Sequence, residues 1–323
     1  NLLMISHIFS KTKPVNFLLL TFLLAVYILS FEGFIGIGSG VSRDFWANLM
    51  QNIGFFLKGL AFFVPALFLI DFILKRNKLV LTHSYTLFYF VVFCGLFPAV
   101  FSHTDLLLAH FFVLLGLRRI LSLKTKQRSR RKVFEACLWF LVASYFYDWT
   151  LLYLIVLVAS LFIYDKNNPR YWGLILWAIL VYAVLLWGFV IRDNFSSFFN
   201  QQYLFNIPPQ GFSTKISMLI IGFFGSSILV LLWNYSRKAS AKVASLGRKN
   251  SLAILTLTGF LGGLLYLFSP ADNHSALVFS FFPLAFLWSN TTELLPKTWQ
   301  KEVLMWSMLS APLWSLIVYL VQN

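Results

Sequence analysis

Long apolar runs alternate with short polar breaks along the whole chain. After Pro14 an apolar segment extends from Val15 to Ile37, followed by Asn52 to Leu74, Leu81 to Phe101, Leu106 to Leu121 and Val133 to Tyr147. The pattern continues with Trp149 to Tyr164, Tyr171 to Ile191, Ile216 to Tyr235, Ser251 to Phe268, Ser275 to Trp288 and Val303 to Val321. A helix needs about 20 mostly apolar residues to cross a bilayer. The pattern therefore predicts an all-α polytopic bundle of about 11 transmembrane helices, within a range of ten to twelve, the fourth to sixth being short. Only Asp148 separates the fifth from the sixth, so that pair must tilt or thin the bilayer to cross it. With no long hydrophilic stretch and no detectable repeat, residues 1–323 read as a single integral membrane domain. No A-x-A-like small-residue site closes the first run, which is expected to remain as a spanning helix.

Composition supports this reading. Of the residues, 59% are hydrophobic and 11% charged, against about a quarter charged in a soluble domain. Cys94 and Cys137 lie inside apolar runs, where a thiol serves as small apolar filler.

The placement of charge adds an orientation. The stretch RRILSLKTKQRSRRK, residues 118–132, carries eight of the chain's 26 lysines and arginines. When the connections are assigned alternately to two sides, all but four of the 26 fall on one side. The exceptions are Arg43, Arg192 and Lys215 opposite, and Lys58 within the second segment. The positive-inside rule then places the N-terminus and the 118–132 loop in the cytoplasm, with the C-terminus periplasmic. The loop is expected to face anionic headgroups. No folded reading element accompanies it, which argues against nucleic-acid binding. The opposite connection, about residues 192–215, is rich in aromatic residues and reads as an interfacial segment.

Candidate chemistry gathers on the outer side. GxGxxG, Walker, HExxH, GxSxG and CxxCH motifs are all absent, and five scattered histidines cannot supply the clusters a di-iron oxygenase needs. Two outer turns pair an imidazole with a carboxylate, SHTD (His103, Asp105) and ADNH (Asp272, His274). Such a turn can form a polar site with a general base and an anion-positioning histidine. It can equally cap the next helix, through Thr104 or Asp105 in the first turn and Asp272 or Asn273 in the second. Asp148, in YFYDWT, either faces a water-filled cavity or closes a tight outer turn. Glu32 and Lys58 lie at comparable depth and are expected to form an intramembrane ion pair, or Lys58 snorkels.

MISHIFSKTKPVNFLLL, the unit RRILSLKTKQRSRRKVFEACLWFLVASYFYDWTLLYLIVLVASLFIYDKNNPRYW and ADNHSALVFSFFPLAFLWSNTTELLPKTWQKE resemble a family of uncharacterised multi-pass inner-membrane proteins of Bacteroidota. More distantly, the short helix pair around an arginine-rich turn and the late turn NHSALVFSFFPLAF resemble membrane glycosyltransferases of the GT-C fold. That second resemblance implies sugar transfer from a polyprenyl-phosphate donor at the outer leaflet. Asp44, in GSGVSRDFWANLMQN, would be the base or the ligand of a divalent cation, with Arg43 or Arg192 holding phosphate. Asp105, His103 and His274 would support catalysis, with Asp148 and Asp272 near the substrate. The leading expectation is a non-catalytic scaffold or accessory subunit in envelope biogenesis, secretion or lipid handling, partnered by other envelope membrane proteins. A transporter is the third reading, motivated by Glu32, Lys58 and the break at Gly95 and Pro98.

Overall fold

The computed structural model describes residues 4–38, 53–80, 83–97, 100–101, 103–125, 127–164, 170–190, 214–240, 246–267 and 274–322. These form twelve α-helices: α1 (Ile5–Phe9), α2 (Pro14–Gly38), α3 (Ile53–Arg76), α4 (Tyr85–Leu96), α5 (Thr104–Leu121) and α6 (Ser129–Phe146), then α7 (Tyr153–Tyr164), α8 (Arg170–Val190), α9 (Thr214–Ser240), α10 (Leu246–Leu267), α11 (Val278–Leu294) and α12 (Thr298–Gln322). Each apolar segment of the sequence contains a helix. Among the described residues, four stretches are long and apolar enough to cross a membrane: Phe56–Arg76, Thr104–Thr125, Arg170–Trp187 and Gly247–Leu267. Shorter apolar helices run over Pro14–Ser30, Tyr85–Leu96, Asp148–Tyr164 and Ile220–Tyr235.

Two helices form the centre. Every residue of α4 from Tyr85 to Gly95 is buried, as is every residue of α11 from Val278 to Thr292. A helix that is apolar on all sides must be wrapped on all sides. Here the wrapping is largely aromatic: Phe93 packs edge-on against Phe223 at 4.9 Å, and Phe97 against the same ring at 5.2 Å. Helices α2, α3 and α12 pack against α4, and α9 and α10 against α11. At the periphery the pattern reverses, and α8 exposes Trp172, Leu176, Trp177, Val184 and Leu185. An exterior of large apolar side chains suits contact with lipid.

The segment expected at Leu81 to Phe101 is α-helical only from Tyr85 to Leu96 among its described residues, with a 3-10 turn at Val100 and Phe101. Phe97 precedes a proline, which disfavours the α conformation, and it adopts φ −123°, ψ 73°. Twelve residues rise only about 18 Å, short of a ~30 Å hydrocarbon layer.

The basic stretch is also more helical than a loop. Arg118 and Arg119 ride on the last turn of α5, and Arg130, Arg131 and Lys132 on the first turns of α6. Arginine and lysine are good helix formers, so a run of charge does not by itself end a helix. The break comes at Arg128, whose φ of 50° is left-handed. The α5–α6 pair packs closely because Gly116 leaves room for Phe140: a Cβ there would meet that ring at 2.3 Å.

Gly262 has the strictest requirement. A Cβ at this position of α10 would meet the Phe279 carbonyl carbon and the Ser280 nitrogen of α11, each at 2.7 Å. Backbone cannot rotate away as a side chain can. Gly262→Ala is therefore expected to cost about 1–3 kcal/mol, the usual cost of overpacking. Gly222→Ala, with nothing within 4 Å, should be neutral or better. Equal thermal midpoints for the two variants would show that the close approach of α10 and α11 is absent.

Candidate functional site

Of the outer residues singled out from sequence, Arg43, Asp44, Arg192 and Asp272 lie outside the described residues, and so do the side chains of Glu32 and His274. Lys58 is exposed on α3. His103 is the N-cap residue of α5 but makes no side-chain cap hydrogen bond, and Asp105 lies exposed in the first turn. There its carboxylate favours the positive end of the helix dipole. Asp148 opens a 3-10 turn, Asp148–Leu152, between α6 and α7, and is partly exposed. Cys94 and Cys137 are buried free thiols. Among the described residues, no three of His, Cys, Asp and Glu converge on a space that could hold a metal ion.

Among the described residues, the most connected polar site lies at the opposite end of α11 from His274 and was not singled out from sequence. It grows from SNTTE, residues 289–293, the last turns of α11. Asn234 of α9, fully buried, donates to the Thr291 hydroxyl at 2.8 Å and to the Leu287 carbonyl at 3.1 Å. Its own carbonyl oxygen accepts from the Asn290 amide. Asn290 in turn accepts from the Arg248 guanidinium of α10 at 3.3 Å. Arg248 also bonds Glu293 at 2.7 Å, and His83 Nε2 stands 3.6 Å from the same carboxylate oxygen. On the α4 side, the Tyr89 and Thr292 hydroxyls are 2.7 Å apart. One polar stripe on α11 thus ties together α4, α9 and α10.

The geometry explains why these polar residues can sit at the end of an apolar helix. A buried amide left unbonded costs about 1–3 kcal/mol, and Asn234 reaches partners on two turns of α11. Burial pushes the Glu293 carboxyl up, but the His83 imidazole and the Arg248 guanidinium outweigh it and hold the group at about 2, below its ordinary 4.5. The chemistry is that of a clasp: an ion pair at the rim, backed by amides and hydroxyls.

A second feature lies on the flank. Helices α9, α10 and α11 enclose a lateral groove of about 660 Å³, lined by apolar side chains and by Gly225, Ser227, Thr256, Gly259 and Gly263. His110, buried on α5, lies between the rings of Phe90 and Phe279, and neither of its ring nitrogens has a protein partner.

Comparison with protein-family models, curated proteins and solved structures returns no match to this chain.

The lowered Glu293 value fixes the sign of a pH effect. A carboxyl depressed in the fold stabilises above its ordinary value and loses that contribution as pH falls through the depressed one. Wild-type protein should unfold at a higher temperature than Glu293→Gln near neutrality, with the gap closing as pH falls from 4.5 towards 2. Glu293 is 40% exposed, so the gap is small. A gap that widens on acidification would contradict the clasp.

Proposed function

We propose that the chain is a multi-pass helical scaffold of a bacterial inner membrane, an accessory subunit in envelope biogenesis or secretion. In this reading the N-terminus and the basic 118–132 segment are cytoplasmic, and about 11 helices cross the bilayer. The supporting observation is the lateral groove. Thr256, Gly259 and Gly263 lie three and four residues apart on α10, the spacing that puts them along one helix face, and all three line the groove. Across it, a Cβ at Gly225 of α9 would meet nothing within 4 Å. Small residues let helix backbones approach within a membrane, where packing rather than water exclusion drives association. The groove therefore suits a partner's transmembrane helix, and the exposed apolar faces beside it suit lipid.

An acyl or polyprenyl chain is the competing occupant. It would favour the reading of lipid-linked sugar transfer, with Asp44 and a divalent cation at the outer leaflet. Photocrosslinking in native membranes separates the two. Benzoylphenylalanine in place of Gly225 should give a discrete protein adduct, while the same group at Trp172, half exposed on α8, should give only lipid adducts. Lipid adducts alone from both positions would contradict the scaffold reading and turn attention to the lipid.

A further inference from the structure

On the basic face, the ends of α3, α5 and α6 surround a cleft of about 630 Å³ that shares no lining residue with the lateral groove. That volume lies within the range of ~300–1,000 Å³ typical of small-molecule sites. Five cations line it: Arg76 from α3, Arg118 and Arg119 from α5, Arg128 from the turn and Lys132 from α6. Gln127 lies beside them, while Asn77, Ser122 and Thr125 donate to the backbone carbonyls of Ile73, Arg119 and Ser122 and so brace the wall.

The cleft has a built wall. Lys132 Nζ donates to the Ser122 carbonyl at 2.6 Å and to the Thr125 hydroxyl at 2.8 Å, fixing the 3-10 turn between α5 and α6. Lys124 reaches the Asn77 carbonyl and ties that turn to the end of α3. The Arg118 guanidinium stands 4.5 Å from the centre of the Phe72 ring, which fixes its position without neutralising it.

The nearby negative charge is already engaged. Asp71 pairs with Lys75, and Glu135 with Arg119 and Arg131. Glu293 pairs with Arg248, and the Glu302 carboxylate accepts the backbone N–H groups of Ile5 and Ser6 at 3.1 and 2.8 Å. No carboxylate among the described residues pairs with Arg76, Arg118 or Arg128. Burial, with Arg119 and Arg76 close by, pushes the Lys132 ammonium below its ordinary range. Gathering these cations costs Coulomb energy that an anion in the cleft relieves.

Diffuse attraction to a charged bilayer requires only basic residues near its surface. This cleft offers more. It gathers planar guanidinium forks, which match phosphate oxygens bidentately, in one concavity whose wall is braced by side-chain hydrogen bonds. We propose that the cleft between the ends of α3, α5 and α6 is a phosphate-binding site, receiving either a phosphomonoester lipid headgroup or free phosphate.

Two arms distinguish the sources. Full-length protein in phosphatidylcholine nanodiscs is titrated with inorganic phosphate, and binding is read by calorimetry. In parallel, nanodiscs containing phosphatidic acid and no soluble phosphate are analysed by native mass spectrometry for retained lipid. Saturable binding in the first arm names free phosphate, and selective retention of phosphatidic acid in the second names the headgroup.

Whichever arm binds, Arg118→Gln and Arg128→Gly should each weaken it about tenfold or more, the scale of one lost charge-assisted contact. Glycine suits the φ of 50° at position 128, so Arg128→Gly should leave the thermal midpoint unchanged or raised. This separates loss of binding from loss of fold. Arg130, exposed in the same stretch but not lining the cleft, is the control, and Arg130→Gln should change affinity less than twofold. Absence of binding in both arms overturns the proposal. So does an Arg130→Gln effect as large as that of Arg128→Gly, which would reduce the cleft to general surface charge.

Discussion

An amide that finds no partner in hydrocarbon costs several kcal/mol, because no water is present to replace it. That constraint accounts for most of this architecture. A chain with 59% hydrophobic residues and 11% charged has few side chains with which to satisfy stray backbone groups, so its described residues resolve into helices that satisfy their own. What then distinguishes one helix from another is how it is covered. Helices α4 and α11 are covered by protein on every side, whereas α8 is covered on little of its surface. The bundle is a shielded aromatic centre inside a ring of helices whose outer faces are themselves apolar.

Polar groups enter this arrangement at defined places. The clasp from Asn234 through Asn290 and Arg248 to Glu293 closes one end of α11, and each member meets a partner on another helix. On the same face Glu302 joins the start of α12 to α1 through two backbone amides, and the Tyr85 hydroxyl donates to the Ser6 carbonyl at 3.0 Å. Carboxylates on this face are thus committed to holding helix ends. The surplus of positive charge remains on the α3–α5–α6 rim, at the turn where α5 hands the chain to α6.

Much of the fold was legible in the sequence because each apolar run contains a helix, although several helices start or end some residues away from the run. The differences have local causes. Phe97 stops α4 early because a proline follows it, and Arg130 to Lys132 were read as loop although they favour helix once the left-handed residue at 128 is passed. The candidate site was less legible. SNTTE looks like the polar end of an apolar run, and its main partner, Asn234, lies more than fifty residues away within LLWNYSRK. A buried asparagine in an apolar helix was the available signal. The outer-face expectation behaves differently: Asp105 and His103 lie exposed at the start of α5, while Asp44, Arg43, Arg192 and Asp272 fall outside the described residues.

The burial pattern puts the lipid-facing surface on α8 and the exposed face of α12 and keeps α4 away from it. Labelling of membranes with a lipid-partitioning carbene reagent, mapped by peptide mass spectrometry, tests it directly. Heavy modification is expected around Trp172, Trp177, Trp306 and Trp314, each at least half exposed, and none from Phe88 to Phe93. Modification of α4 at the level of α8 would contradict it.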